Sequence, residues 1–202
     1  MNLEQLLDIL RSDPKINANI TNWRKLPAKE AIYADFPEII NQQLIEVLNQ
    51  RGINKLYTHQ ASAINALSSG KNVVIVTPTA SGKTLSYNLP IINAILEDFN
   101  TRTLYIFPTK ALAQDQLAEL YETLKVLGKD IKTYTFDGDT PASARQAIRT
   151  AGHIVITNPD MLHQGILPNH TKWIKLFENL KYIVIDELHY YRGIMGSHFS
   201  NV

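Results

Sequence analysis

The sequence predicts an α/β domain, with a mostly parallel central sheet, helices on both faces and a helical or irregular N-terminal extension. Three observations carry that expectation. From residue 51 onward, short β-branched runs alternate with helix-length segments. Such alternation implies crossover connections and parallel pairing. A loop closing on Gly82-Lys83-Thr84 joins one run to a helix. A later apolar run ends on Asp186 and Glu187, and ligands of such sheets sit at the carboxyl ends of the strands.

The elements follow in order. Residues 3–10 form an amphipathic helix with Leu3, Leu6, Leu7 and Leu10 on one side. Arg11 to Pro37 carries Pro14, Pro27 and Pro37 with little periodicity, so an extended or irregular arm is expected. Trp23 within it is expected to anchor in a core or groove. A helix opens at Pro37 and runs to Asn49, with Ile40, Leu44, Val47 and Leu48 inward and Gly52 closing it. Thr58 caps a helix that runs to Ser69 and ends at Gly70 and Lys71. Val73 to Val76 is all β-branched and is expected to be a buried strand. Helices are then expected at Gly82–Asp98, Ala111–Leu127, Pro141–Arg149, Asp160–His163 and Lys172–Glu178. The strands between them are Thr103–Phe107, Ile131–Phe136, Ile154–Thr157 and Tyr182–Ile185. The division is an extension over residues 1–50 and one α/β domain over 51–202.

Composition excludes several classes. The 202 residues suffice for one α/β domain plus N-terminal material. No stretch approaches the ~18 uninterrupted apolar residues of a membrane span. The N-terminus is acidic and amphipathic early on, unlike a signal peptide. The absence of cysteine excludes disulfides and thiolate zinc sites and fits a reducing compartment. The net charge is +1, so overall charge does not point to nucleic acid, and any such contact must be local.

Thr77 to Thr84 reads TPTASGKT between a run of strand character and a helix. Backbone N–H groups of Thr79, Ala80, Ser81, Gly82 and Leu85 would converge there on a polyphosphate. Gly82 lets the backbone approach closely. Lys83 reaches the β- and γ-phosphates, and Thr84 places a hydroxyl on a magnesium ion. Thr77 stands where the common form of this loop has glycine. At the acidic strand end, Asp186 can hold the magnesium ion, directly or through water, and Glu187 can polarise an attacking water. The implied cofactors are ATP and Mg2+.

These residues are specific in combination. DELH (Asp186 to His189) together with TPTASGKT resembles the DExH box and first motif of superfamily 2 helicases. The resemblance implies a RecA-like P-loop NTPase domain, in which a loop threonine replaces the first glycine. His189 would couple nucleotide state to the nucleic-acid side, giving Lys83, Asp186, Glu187 and His189 as the catalytic set. LYTHQ (Leu56 to Gln60) looks like a Q motif, with Tyr57 and Gln60 at the base. The Gln60 amide can pair with both N6 and N7 of adenine, which implies ATP over GTP.

Three further motifs sit at strand ends and helix starts. FPTKALAQDQ (Phe107 to Gln116) resembles motif Ia, TNPDMLH (Thr157 to His163) resembles motif Ib, and FDGDT (Phe136 to Thr140) lies between them. The candidate nucleic-acid residues are Pro108, Thr109, Lys110, Gln114, Gly138, Thr157 and Asn158. Free N–H groups, hydroxyls and one lysine there could hold the phosphates of a single strand without reading its bases.

The run YYRGIMGSHFSNV (Tyr190 to Val202) resembles the Hrq1/MrfA group of DNA-repair helicases, related to the RecQ4 type. That resemblance covers residues 50–202. It implies movement 3′ to 5′ on DNA and partners in single-stranded DNA or a duplex with a 3′ overhang. It also implies a second RecA-like domain supplying arginine fingers, without which the chain would bind nucleotide and hydrolyse it poorly. Work in the cytoplasm at the nucleoid of a prokaryote, or in the nucleus of a eukaryote, would follow. Two alternatives stay open: an RNA-dependent remodelling ATPase of the same superfamily, and a nucleotide-gated interaction module with no motor action.

Overall fold

The computed structural model describes residues 2–24, 26–27, 30–78 and 81–202. The chain divides into two units, Met1–Ala31 and Ile32–Val202. The first holds α1 (Leu3–Ser12) and α2 (Pro14–Asn17). Asn2 and Gln5 close a reciprocal capping box at the start of α1, with bonds of 2.9 and 3.1 Å. Asp13 caps α2 and Pro14 opens it, where its missing N–H costs nothing. No residue of α1 is buried: Leu3 and Leu6 of its leucine stripe are exposed, and Leu7 and Leu10 are half-buried. Trp23 departs from the expected anchor. It is 41% exposed, and the Arg11 guanidinium covers one face 5.1 Å from the ring centre. Two short helices enclose no core in which an indole could be buried.

The second unit opens with β1 (Tyr33–Ala34), α3 (Gln42–Gln50), β2 (Leu56–Tyr57) and α4 (Thr58–Ser68). The expected irregular arm therefore ends in a strand, which pairs antiparallel with β2 at Tyr33–Tyr57 and Ala34–Leu56. α3 begins later than Pro37 suggests. Asn41 caps it by accepting the Gln43 N–H, and the buried Asn93 accepts the Asn41 N–H and donates to the Ile39 carbonyl. Thr58 is the first residue of α4, not its cap; the Gln60 side chain accepts the Tyr57 N–H instead.

The rest of the unit follows the predicted alternation. α5 (Lys83–Glu97), β3 (Arg102–Ile106), α6 (Lys110–Leu127), β4 (Thr133–Thr135) and α7 (Ala142–Ala151) come first. β5 (Ile154–Thr157), α8 (Pro159–Met161), helical turns across Leu162–Lys172, α9 (Ile174–Glu178), β6 (Leu180–Ile185) and α10 (Gly193–Phe199) complete it. The main sheet has the order β4-β5-β3-β6, parallel throughout.

Both faces of that sheet are covered. Tyr105, Ile154 and Ile156 pack with Leu44, Ile64, Ile92 and Leu120 of α3 to α6. Leu104, Ile106 and Val155 turn the other way, onto Phe136, Leu162, Trp173 and Leu176. Apolar residues on both sides of one strand are the signature of a parallel sheet between helical layers.

One element departs from expectation. Val73 to Val76 joins no sheet, and Val74 and Val76 are 76% and 90% exposed. The outer edge of β6 faces this segment across a cavity of about 540 Å³ lined by Val73, Ile75, Ile183 and Ile185. β6 is thus an edge strand: Val184 is buried, while Ile183 and Ile185 are 56% and 41% exposed. A strand exists by hydrogen bonds to a neighbour, and β-branched composition supplies none of them.

Candidate functional site

The site forms where the sheet's carboxyl edge meets the start of α5. Gly82 caps that helix with φ +72°, the left-handed region. A Cβ there would also meet the Gln60 Nε2 at 2.7 Å. The backbone conformation therefore favours glycine, and any larger residue would also have to displace the Gln60 amide. The loop is tied internally by the Thr77 and Ser81 hydroxyls, 2.6 Å apart. Lys83 Nζ donates to the Thr77 carbonyl at 3.1 Å, so the ammonium lies within the loop's own concavity. Leu85 donates its N–H to the Gly82 carbonyl and packs its side chain on the core. Thr79 and Ala80, expected to contribute N–H groups, lie outside the described residues.

The carboxylates arrive from β6. The Asp186 N–H continues the ladder to the Ile106 carbonyl, and its Oδ1 accepts the Glu187 N–H at 2.8 Å. Its Oδ2 accepts from the Tyr87 hydroxyl at 3.0 Å. Glu187 has φ +52° and is the one described residue other than glycine in the left-handed region. That turn swings its carboxylate to His189, whose Nδ1 lies 3.0 Å from Oε2. Strain of this kind persists where surrounding structure imposes it.

One cavity of about 590 Å³ gathers Gln60, Ser81, Gly82, Lys83, Thr84, Leu85, Asp186 and Glu187. A closely approached glycine, a lysine, a hydroxyl and a carboxylate converge on it, which fits a nucleotide polyphosphate. Thr84 and Asp186 line the cavity with hard oxygen atoms of the kind magnesium takes. Among the described residues no three acidic or histidine side chains form a metal cage. Magnesium fits such a site, because it keeps waters and phosphates and takes only one or two protein oxygens.

The base end differs in detail from the sequence expectation. Gln60 is buried and its amide is already engaged: Oε1 accepts the Tyr57 N–H and Nε2 donates to the Gly82 carbonyl, both at 2.8 Å. One lone pair and one N–H stay free for a base edge. The amide therefore also clasps the start of α5. Tyr57 stacks between Tyr33 and His59, with ring centres 5.3 and 5.7 Å apart.

The nucleic-acid candidates separate into two groups. Lys110 pairs with Asp139 beside Gly138, which holds its ammonium charged. Gln114 is exposed within 3.5 Å of the Thr135 hydroxyl, and Thr109 caps α6 through its hydroxyl. Pro108 is half-buried at the same edge. Thr157 does not belong with these residues. It is 3% exposed, and its hydroxyl donates to the Phe136 carbonyl at 2.7 Å. It locks β5 to the loop after β4 and has no hydroxyl free for phosphate. The Asn158 carbonyl oxygen caps α8, leaving only its amide N–H groups free.

Sequence reasoning missed Tyr33, Arg51, Tyr87 and Gln116. Tyr33 and Arg51 line the nucleotide cavity from β1 and the turn after α3, and no local pattern marks them. Gln116 closes the Phe107–Gln116 motif, and that position was the available signal. The Tyr87 phenol touches both Asp186 and Gln116. Burial first, then the Asp186 charge, pushes its pKa far above the usual phenol range, so it stays a donor.

Comparison with known proteins follows the same lines. Residues 57–202 match the family described as DEAD/DEAH box helicase. An uncharacterized ATP-dependent helicase, YprA of Bacillus subtilis, is 58% identical over 193 residues, covering 96% of this chain and 26% of its own length. The ATP-dependent helicase hrq1 of Schizosaccharomyces pombe is 43% identical over 205 residues, covering 99% of this chain and 19% of its own. The crystal structure of the DUF1998 helicase MrfA bound to DNA and AMPPNP superposes with a TM-score of 0.91 at 54% identity. That match covers all of this chain and 28% of MrfA. The chain thus spans about a quarter of the length of YprA and of MrfA.

Proposed function

Since this chain belongs to the DEAD/DEAH box helicase family, we propose that it is the ATP-binding half of a DNA helicase motor, one that binds ATP with magnesium and the backbone of single-stranded DNA. The observation that carries this is the cavity at the sheet's carboxyl edge, where the phosphate loop and the Asp186–Glu187 pair meet. Movement 3′ to 5′ and a role in DNA repair follow from the likeness to the Hrq1/MrfA group. Work at the nucleoid, or in the nucleus of a eukaryote, would be its consequence.

Each residue has a definite task. Loop N–H groups and Lys83 hold the β- and γ-phosphates by charge-assisted bonds. Thr84 and Asp186 would hold magnesium, which supplies neutralisation of the phosphate charge when bound. Glu187 orients a water and accepts its proton. His189, whose Nδ1 lies 3.0 Å from the Glu187 carboxylate, couples nucleotide state to the nucleic-acid side. Gln60 selects adenine by its remaining donor and acceptor. Lys110, Gln114 and the free N–H groups at the start of α6 hold the strand's phosphates, which positions DNA without reading sequence. A second RecA-like domain would add the arginine that completes such sites, an addition worth ~10³ to 10⁵ in rate in related NTPases.

The test is ATP turnover by the intact protein with no nucleic acid, with single-stranded DNA and with RNA, for wild type, Lys83→Ala and Glu187→Gln. DNA-stimulated turnover lost in both variants supports the proposal. Stimulation by RNA alone moves the protein to the remodelling class. Nucleotide binding with no stimulated turnover leaves the interaction module.

A further inference from the structure

Tyr87 reaches across three elements. It projects from the first turns of α5, one helical turn past Thr84, and its ring stands edge-on to Tyr105, 5.6 Å away at 87°. Tyr105 is itself fully buried and held by a 2.8 Å bond to Asn88. The Tyr87 ring therefore has a fixed backing. Its hydroxyl lies 3.0 Å from Asp186 Oδ2, at the end of β6, and 2.9 Å from the Gln116 side-chain oxygen, on α6. The Thr84 hydroxyl adjoins it as well. The two side chains expected to hold magnesium thus share one phenol as neighbour.

Proton counting resolves the direction of these bonds. A phenol has one proton and faces two acceptors as placed. The Gln116 Nε2, meanwhile, is buried with no partner. Exchanging the amide's oxygen and nitrogen, which are interchangeable by shape, gives the phenol a donor on one side and an acceptor on the other, and leaves the amide oxygen in the buried position. Gln116 then donates to the Tyr87 oxygen, and Tyr87 donates its proton to Asp186. The result is a one-directional chain from α6 through α5 to the carboxylate.

The far end of that chain matters. Gln116 lies less than two helical turns from Lys110, where α6 begins and where the candidate backbone contacts gather. We propose that Tyr87 is a positioning residue that fixes the Asp186 carboxylate and, through Gln116, joins magnesium occupancy at that carboxylate to nucleic-acid occupancy at the start of α6. This rests on the proposed function, since it needs both ligands. The coupling is reciprocal by linkage, so each ligand raises the affinity of the other by the same factor.

The test uses the intact protein and binding alone, without turnover. Affinity for a fluorescent non-hydrolysable ATP analogue is measured at low and high Mg2+, with and without an oligo-thymidine strand. The variants are Tyr87→Phe, which keeps the ring, and Gln116→Leu, which keeps the shape. In wild type both Mg2+ and the oligonucleotide tighten binding. Tyr87→Phe reduces the gain from Mg2+ by about fivefold or more and brings the oligonucleotide effect close to none. Gln116→Leu keeps the gain from Mg2+ and loses the oligonucleotide effect. A Tyr87→Phe protein that matches a binding-competent wild type in both gains overturns this inference alone, even if its thermal midpoint falls. A wild type that binds no nucleotide overturns the proposed function and this inference together.

Discussion

Two short β-branched segments of the same chain meet opposite fates. Ile154–Thr157 (IVIT) lies in the sheet between β3 and β4, and all four residues are buried. Val73–Val76 (VVIV) is at least as β-prone, yet it joins no ladder and leaves Val76 90% exposed. The difference lies in neighbours. β5 has a hydrogen-bonding partner on each edge and a helical layer on each face. The Val73 segment pairs with no strand among the described residues and faces β6 across a cavity. Propensity states what a segment tolerates, and pairing decides what it becomes. The contrast also runs through the site, because the carboxylates hang from the laddered β6 and the phosphate loop hangs from the unpaired segment.

Four measurements would break or sharpen that contrast. The largest effect is expected inside the sheet. Ile156→Ala removes a fully buried side chain and should cost about 2 to 5 kcal/mol in denaturant unfolding. A loss as small as that of a surface substitution would show that the laddered half is no more tightly packed than its margin. Next is ligand linkage at the margin. Saturating Mg-ATP at a hundred times its Kd should stabilise the chain by about 2.7 kcal/mol, and Lys83→Ala should abolish the shift. A shift that survives in the variant would put the nucleotide elsewhere.

The third effect belongs to His153, beside the start of β5. Burial first, and then the Arg102 charge, lowers its pKa from 6.5 to about 4. Its Nδ1 accepts the Lys132 N–H at 3.0 Å, a bond only the neutral ring can accept. The unfolded chain binds the proton first, so this contribution is whole above pH 6.5 and is lost as pH falls toward 4. Thermal midpoints should decline over that window in wild type and decline less in His153→Gln. Equal slopes would mean that the ring is protonated in the folded protein. The smallest effect is expected at Val76→Ala, within about 0.5 kcal/mol of wild type. A loss comparable to that at Ile156 would show that the Val73 segment is laddered in solution.

How much was legible in advance follows the same division. Ile154–Thr157 was predicted residue for residue, because its buried run is bounded by turn residues and fits a parallel sheet. The Lys83 loop and the Asp186-Glu187 pair could be picked out because each is a short contiguous run, and the structure brings both to one cavity. Thr157 was misplaced for the complementary reason. Its position in a motif is a local fact, but the direction of its hydroxyl depends on the Phe136 carbonyl of another strand.

By itself, then, the sequence determined the alternation of elements, the strand ends that carry the chemistry and the residues of the phosphate loop. All of these depend on local spacing and side-chain type. Only the tertiary structure decided which β-branched run became a strand, that Tyr33 reaches the nucleotide cavity, that Gln60 clasps Gly82 and that Tyr87 stands between Asp186 and Gln116. Each of those joins residues far apart in the chain, and such contacts are chosen by packing and hydrogen-bond closure in space, which no local pattern encodes.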